Sequence, residues 1–193
     1  MRSLNNFIVE IESPLQDKIK TDSGIELYVD TRFNEFEYRT TEGEVLSTPA
    51  KYETGAEVGD MLYFHHHVVI NGGSPLVKED NQYVVQYDHE HASANQAIAD
   101  TSKRTGALRV FKGWSLLEPV EEDDHGSDDL IKIITLEEPA VTQGVVSVAS
   151  EELSDLGIEV GDIVGFKKNR DYRIKIDGKE YYRVAVSELL YKV

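Results

Sequence analysis

An eight-residue block occurs twice in the chain. Glu57-Val58-Gly59-Asp60-Met61-Leu62-Tyr63-Phe64 returns as Glu159-Val160-Gly161-Asp162-Ile163-Val164-Gly165-Phe166, 102 positions later. Its surroundings repeat as well. Gly43-Glu44-Val45-Leu46 answers to Gly144-Val145-Val146-Ser147, Asp80–Tyr87 to Asp177–Val184, and Phe7-Ile8-Val9 to Trp114-Ser115-Leu116. The offset is 107 at the first strand, read from Arg2-Ser3-Leu4 and Arg109-Val110-Phe111, and 101 by Gly43. An insertion of about six residues therefore sits in a loop of the first copy. A repeat this long makes each copy a unit that must bury its own core.

Each copy reads as short β-branched strands punctuated by Gly, Asp, Asn and Pro, without a sustained 3.6-residue period. The expected fold is all-β, two tandem, partly open β-barrels. Within the repeated block, glycine permits a tight turn, and the aspartate after it accepts backbone N–H groups there. Ala92–Gly106 is rich in small and polar residues and reads as a linker with an edge-strand remnant near Ile98. The expected boundaries are 1–98 for the first barrel, 99–107 for the linker and 108–193 for the second.

Charge excludes several partners. With 20 Lys and Arg against 36 Asp and Glu, the formal net charge is −16. Nucleic-acid binding through phosphate neutralisation is not expected, nor is docking on an anionic membrane. No cysteine is present, so disulfides, thiolate metal sites and cysteine nucleophiles are out. No apolar run reaches the ~20 residues that span a bilayer. Met1–Glu12 meets Glu10 before a signal-peptide core forms, so a cytoplasmic location is expected. No Gly-rich phosphate loop or Gly-X-Ser-X-Gly elbow points to an enzyme.

His65-His66-His67, with His89 and His91 nearby in sequence, is the one set of residues with metal-ligand chemistry. On a strand His65 and His67 share a face, and two further histidines would complete a transition-metal site. The repeat places the triplet against Lys167-Lys168-Asn169, residues of a solvated surface. Solvated strand-end histidines, with no metal, are the expectation. Trp114 is expected in core or interface packing, and His125, among acids, in solvent.

The second copy resembles the GroES co-chaperonins. The likeness rests on Leu108-Arg109-Val110-Phe111, Gly144-Val145-Val146, Val160-Gly161-Asp162-Ile163-Val164, Ile174-Lys175-Ile176-Asp177-Gly178-Lys179-Glu180-Tyr181 and Ser187-Glu188-Leu189-Leu190. The first copy carries it more weakly, through Gly24-Ile25-Glu26-Leu27, Gly43-Glu44-Val45-Leu46 and Val58-Gly59-Asp60. The resemblance implies GroES-like barrels that assemble into a homo-oligomeric ring. Such a ring caps an ATP-loaded, GroEL-like chaperonin and encloses a folding chamber for client protein. ATP is then bound and hydrolysed by the chaperonin, and no cofactor is expected here.

In that family a long disordered loop after the second strand carries an apolar tripeptide that docks on the chaperonin's apical domains. The matching segment of the first copy is Gln16–Tyr38. Its beginning is too polar to fold alone, and Gly24, Ile25, Glu26 and Leu27 are the implied docking residues. The alternative is an ordinary edge strand continuing through Tyr28 and Val29. In the second copy the segment is Pro119–Pro139, where Ile131 and Ile133, or Ile134 and Leu136, would dock. The spans Gly43–Asp60 and Gly144–Asp162 are short for the family. The hairpin that roofs its dome is therefore expected to be missing, as in bacteriophage co-chaperonins, and a phage origin is suspected. The rival reading is a phage structural or assembly β-protein that keeps the barrel without chaperonin binding. It draws on the degenerate look of Asp88–Ile98, since the family joins neighbouring subunits through that strand.

Overall fold

The computed structural model describes residues 2–20, 24–28, 30–31, 38–72, 75–77, 81–91, 94–120 and 142–193. Two compact units divide the chain, 1–112 and 113–193. The first contains β1 (Phe7–Glu10), β2 (Lys18–Lys20), β3 (Glu26–Tyr28), β4 (Glu42–Ser47), β5 (Met61–Phe64), β6 (Pro75–Val77), β7 (Gln82–Val85), β8 (Ala97–Thr101) and β9 (Leu108–Val110). The second contains β10 (Trp114–Glu118), β11 (Gln143–Val148), the short helix α1 (Glu151–Asp155), β12 (Ile163–Phe166), β13 (Tyr172–Ile176), β14 (Lys179–Ala185) and β15 (Leu189–Lys192). The fold is all-β, with two barrel-like units. Among the described residues no helix is long and apolar enough to cross a membrane.

The sheets share one strand order. The first runs β6-β7-β1-β4-β5-β8-β9 and the second β13-β14-β10-β11-β12-β15. Details recur too, including a register shift between Ile8 and Val9 against β4, matched between Leu116 and Leu117 against β11. Beside each shift lies a glycine that admits no side chain. A Cβ on Gly43 would stand 2.8 Å from the Glu10 carbonyl oxygen, and one on Gly144 2.7 Å from the Leu117 Cβ.

The repeated Val-Gly-Asp turn is built identically in both units. Gly59 and Gly161 take φ of 91° and 94°, which glycine adopts without steric cost. Asp60 Oδ2 accepts the Glu57 N–H at 2.8 Å, and Asp162 Oδ2 accepts that of Glu159 at 2.7 Å. Each turn docks on the neighbouring strand through paired backbone bonds, with Val45 in the first unit and Val146 in the second. No strand lies between β4 and β5 or between β11 and β12. The second of these connections carries α1, capped by Ser150 and anchored by buried Leu153.

The boundary between the copies falls elsewhere than the composition suggests. Ala97–Thr101 is strand β8, with Ala97, Ile98, Ala99 and Asp100 fully buried and paired to β5. Leu108–Val110, expected to open the second barrel, forms β9 on the outer side of β8. Phe111 then enters the first core, with its ring 5.4 Å from Phe7 and 5.7 Å from Tyr87. The edge-strand remnant expected near Ile98 is thus a full strand, which continues into the expected linker 99–107. Alanine side chains suit a strand buried on both faces.

One buried ion network fixes that junction. Arg109 donates to Asp60 at 2.9 Å and to both oxygens of Asp100. Burial pushes the Asp100 carboxyl above its ordinary range, against the pull of Arg109. Burial acts on Asp60 in the same sense, but N–H groups of Glu57 and Lys103, together with Arg109, outweigh it and hold that carboxyl low. In the second unit Trp114 is buried and stacks on Arg183, whose guanidinium lies 4.1 Å from its ring and 4.8 Å from that of Tyr172. Burial between these rings pushes Arg183 down to about 10.

Candidate functional site

The chain leaves the first sheet between β1 and β4, at the place equivalent to the passage between β10 and β11. Its neck is hydrogen-bonded. Gln16 donates to the Tyr38 carbonyl at 2.7 Å, Thr40 to that of Pro14 at 3.0 Å, and Leu15 bridges to Arg39. Beyond the neck, β2 and β3 pair antiparallel, with Lys18 opposite Tyr28, Ile19 opposite Leu27 and Lys20 opposite Glu26. They form a two-stranded sheet of their own, joined to neither larger sheet.

The apolar side chains on and beside β3 are largely exposed. Ile25 is 59% exposed, Leu27 51% and Tyr28 73%. Across the pair, Lys18 approaches Glu26 at 4.0 Å and sits over the Tyr28 ring at 5.3 Å. Such exposed ion pairs contribute little, and an isolated two-stranded hairpin is marginal in water. Ile25 and Leu27, two apart on an extended chain, share one face. The geometry is an exposed apolar face on a weakly held hairpin, suited to burial against a partner's groove and not to chemistry on a small molecule.

Of the expected docking residues, Gly24, Ile25, Glu26 and Leu27 all lie on or beside β3, with Gly24 at a φ of 79°. Polar composition suggested a segment without structure at Gln16–Gly24, whereas Lys18–Lys20 is a strand. The alternative of a strand through Tyr28 is met by β3, and the alternation Lys-Ile-Lys and Glu-Leu-Tyr is the sequence signal that pairs it with β2. Tyr28, not among the expected docking residues, is the most exposed of the three apolar groups. Ile131, Ile133, Ile134 and Leu136 lie outside the described residues. At the base of their segment, Glu118 is held low by Lys179 at 2.7 Å, with the Ser147 hydroxyl as a second donor.

The histidines follow directly on the end of β5, at Phe64, but they leave the strand direction at once. His66–Gly72 is a 3-10 turn, and the rings of His65, His66 and His67 gather with centroids 4.1–4.5 Å apart. His89 instead stacks on Tyr52 and meets the Tyr87 hydroxyl at 3.2 Å. His91 pairs with Asp88, also at 3.2 Å.

Three curated proteins named co-chaperonin GroES match. That of Thermosipho melanesiensis is 32% identical over 86 residues, covering 45% of this chain and 96% of that protein. That of Coprothermobacter proteolyticus is 31% identical over 81 residues, 39% of this chain and 83% of its own length. The Thermosipho africanus protein is 28% identical over 78 residues, 40% of this chain and 87% of its own. No family model matches the chain. The chain belongs to the GroES co-chaperonin family. One relative accounts for less than half of it, which leaves room for the second copy.

Proposed function

We propose that this protein is a tandem co-chaperonin, acting in the cytoplasm, that caps an ATP-loaded chaperonin ring and encloses a folding chamber for client protein. The observation that carries this reading is the exposure of Ile25 and Leu27 on one face, and of Tyr28 beside them, on a separate two-stranded hairpin where the second unit has its own long connection. The chaperonin supplies ATP hydrolysis, and the protein contributes binding alone, without a cofactor of its own for capping. The testing experiment is co-sedimentation with a GroEL-type chaperonin. The complex is expected with ATP and not without nucleotide, and its absence in both conditions would refute the proposal.

Ring assembly has support in the strand order. β8 and β15 are equivalent, yet β8 is covered by β9 while β15 ends its sheet. An uncovered edge is a template for another chain, and this one exposes Leu190, Tyr191 and Val193 at 57%, 50% and 73%. In the proposed ring β15 takes a strand from the next copy, as β8 takes β9 within the chain. Leu190→Asp with Val193→Asp should reduce the native mass to that of one chain. Because both positions are exposed, stability should move by no more than ~0.5 kcal/mol. An unchanged mass would place the joint elsewhere. The rival structural reading drew on a degenerate Asp88–Ile98. That support weakens, since Ala97–Thr101 is a fully paired strand.

A further inference from the structure

We propose that His65, His66 and His67 form a binding site for one divalent transition-metal ion of the zinc class. Each ring offers one nitrogen, and the three lie within 4.8 Å of one another. Zinc–nitrogen bonds of ~2.0–2.1 Å put tetrahedral ligand atoms about 3.4 Å apart. Small ring rotations close that difference.

The backbone beneath is already fixed. The His65 N–H donates to the Gln96 carbonyl at 2.9 Å, and the His65 carbonyl accepts the Val68 N–H at 3.0 Å. Val68 and Val69 are buried in the first core, 4% and 3% exposed. Metal binding therefore orders little beyond three side chains, and such preorganisation raises affinity. His65 Nδ1 accepts the His67 backbone N–H at 3.2 Å, a bond that a metal on that nitrogen replaces. Three imidazoles leave a fourth position for water or a ligand from outside. No thiolate of the chain competes for the ion, because there is no cysteine.

The repeat concealed this site. Its counterpart, Lys167-Lys168-Asn169, holds no metal-ligating imidazole, and Lys167 there is paired with Glu188 at 2.6 Å. Solvated lysines in one copy say nothing about histidines in the other once the local backbone differs.

The test is titration of tag-free, chelator-stripped, full-length protein with zinc chloride, followed by calorimetry and native mass. One zinc per chain is expected. The triple variant His65→Ala, His66→Ala, His67→Ala should lose it, whereas His89→Ala with His91→Ala should keep it. His67→Ala, at an exposed position, should weaken binding without any change in circular dichroism, which separates ligand loss from unfolding. Absence of stoichiometric binding, binding retained by the triple variant, or binding lost equally in the His89 and His91 variant would each overturn the site.

Discussion

Ile25→Asp is expected to abolish ATP-dependent binding to a chaperonin while the assembled protein stays folded, and Leu27→Ala is expected to weaken it. A docked Ile or Leu contributes ~1.5–3 kcal/mol by burial. An aspartate there loses that term and must also be stripped of water as a charge. The hairpin is marginal by itself, so each docking event is weak. A ring presents many copies at once, so its affinity can exceed that of one contact by ~100-fold or more, and a loss at each hairpin compounds across the copies. Since Ile25 and Leu27 are over half exposed, native mass and circular dichroism should be unchanged. The second segment is a possible substitute. The decisive variant therefore also makes Ile131, Ile133, Ile134 and Leu136 polar. Full binding by that combined variant would contradict docking through these segments.

Arg109→Met is expected to be the most damaging single change to stability. It leaves Asp100, fully buried, and Asp60, 2% exposed, without their shared cation. Removing one partner of a buried pair costs ~3–5 kcal/mol. The lower end applies here, because the guanidinium side chain is 38% exposed and partly screened. Against a typical total of ~5–15 kcal/mol, urea unfolding should show a clear fall in the midpoint. Adding Asp60→Asn and Asp100→Asn should recover part of it, since the stranded charges are then gone. A change under ~1 kcal/mol would mean that β9 is held by Phe111 and the strand pairing alone.

The repeat was legible because its key residues act locally. A Val-Gly-Asp turn needs a left-handed glycine and an aspartate facing the N–H groups three residues back, and both needs are written in adjacent letters. The same holds for Asp177-Gly178, whose positive φ values of 48° and 81° turn β13 into β14. What escaped reading depends on distant partners. Arg109 and Phe111 look like the start of the second barrel until Asp60, Asp100 and Phe7 are seen to hold them in the first unit. Ala99–Thr101 looks like linker because small and polar side chains are read as flexible, although a strand between β5 and β9 runs through them. The Lys18–Tyr28 hairpin gives only a faint pattern, for Ile25, Leu27 and Tyr28 are exposed and burial does not enforce alternation there. The strand end before the histidines is legible, but the 3-10 turn His66–Gly72 is not, because the copies differ in sequence after Phe64 and Phe166.

Hydrogen–deuterium exchange across 18–28, measured on the free protein and on its complex with an ATP-loaded chaperonin, tests the central claim most directly. In the free protein the β2–β3 amides should exchange quickly, as expected for a pair of strands outside either core, while β1, β4 and β8 are slow. On complex formation the amides of β3 should become strongly protected, with β4 and β5 unchanged. A complex that forms while β3 exchanges as fast as before, with protection confined to other surfaces of the barrel-like units, would contradict docking through the hairpin.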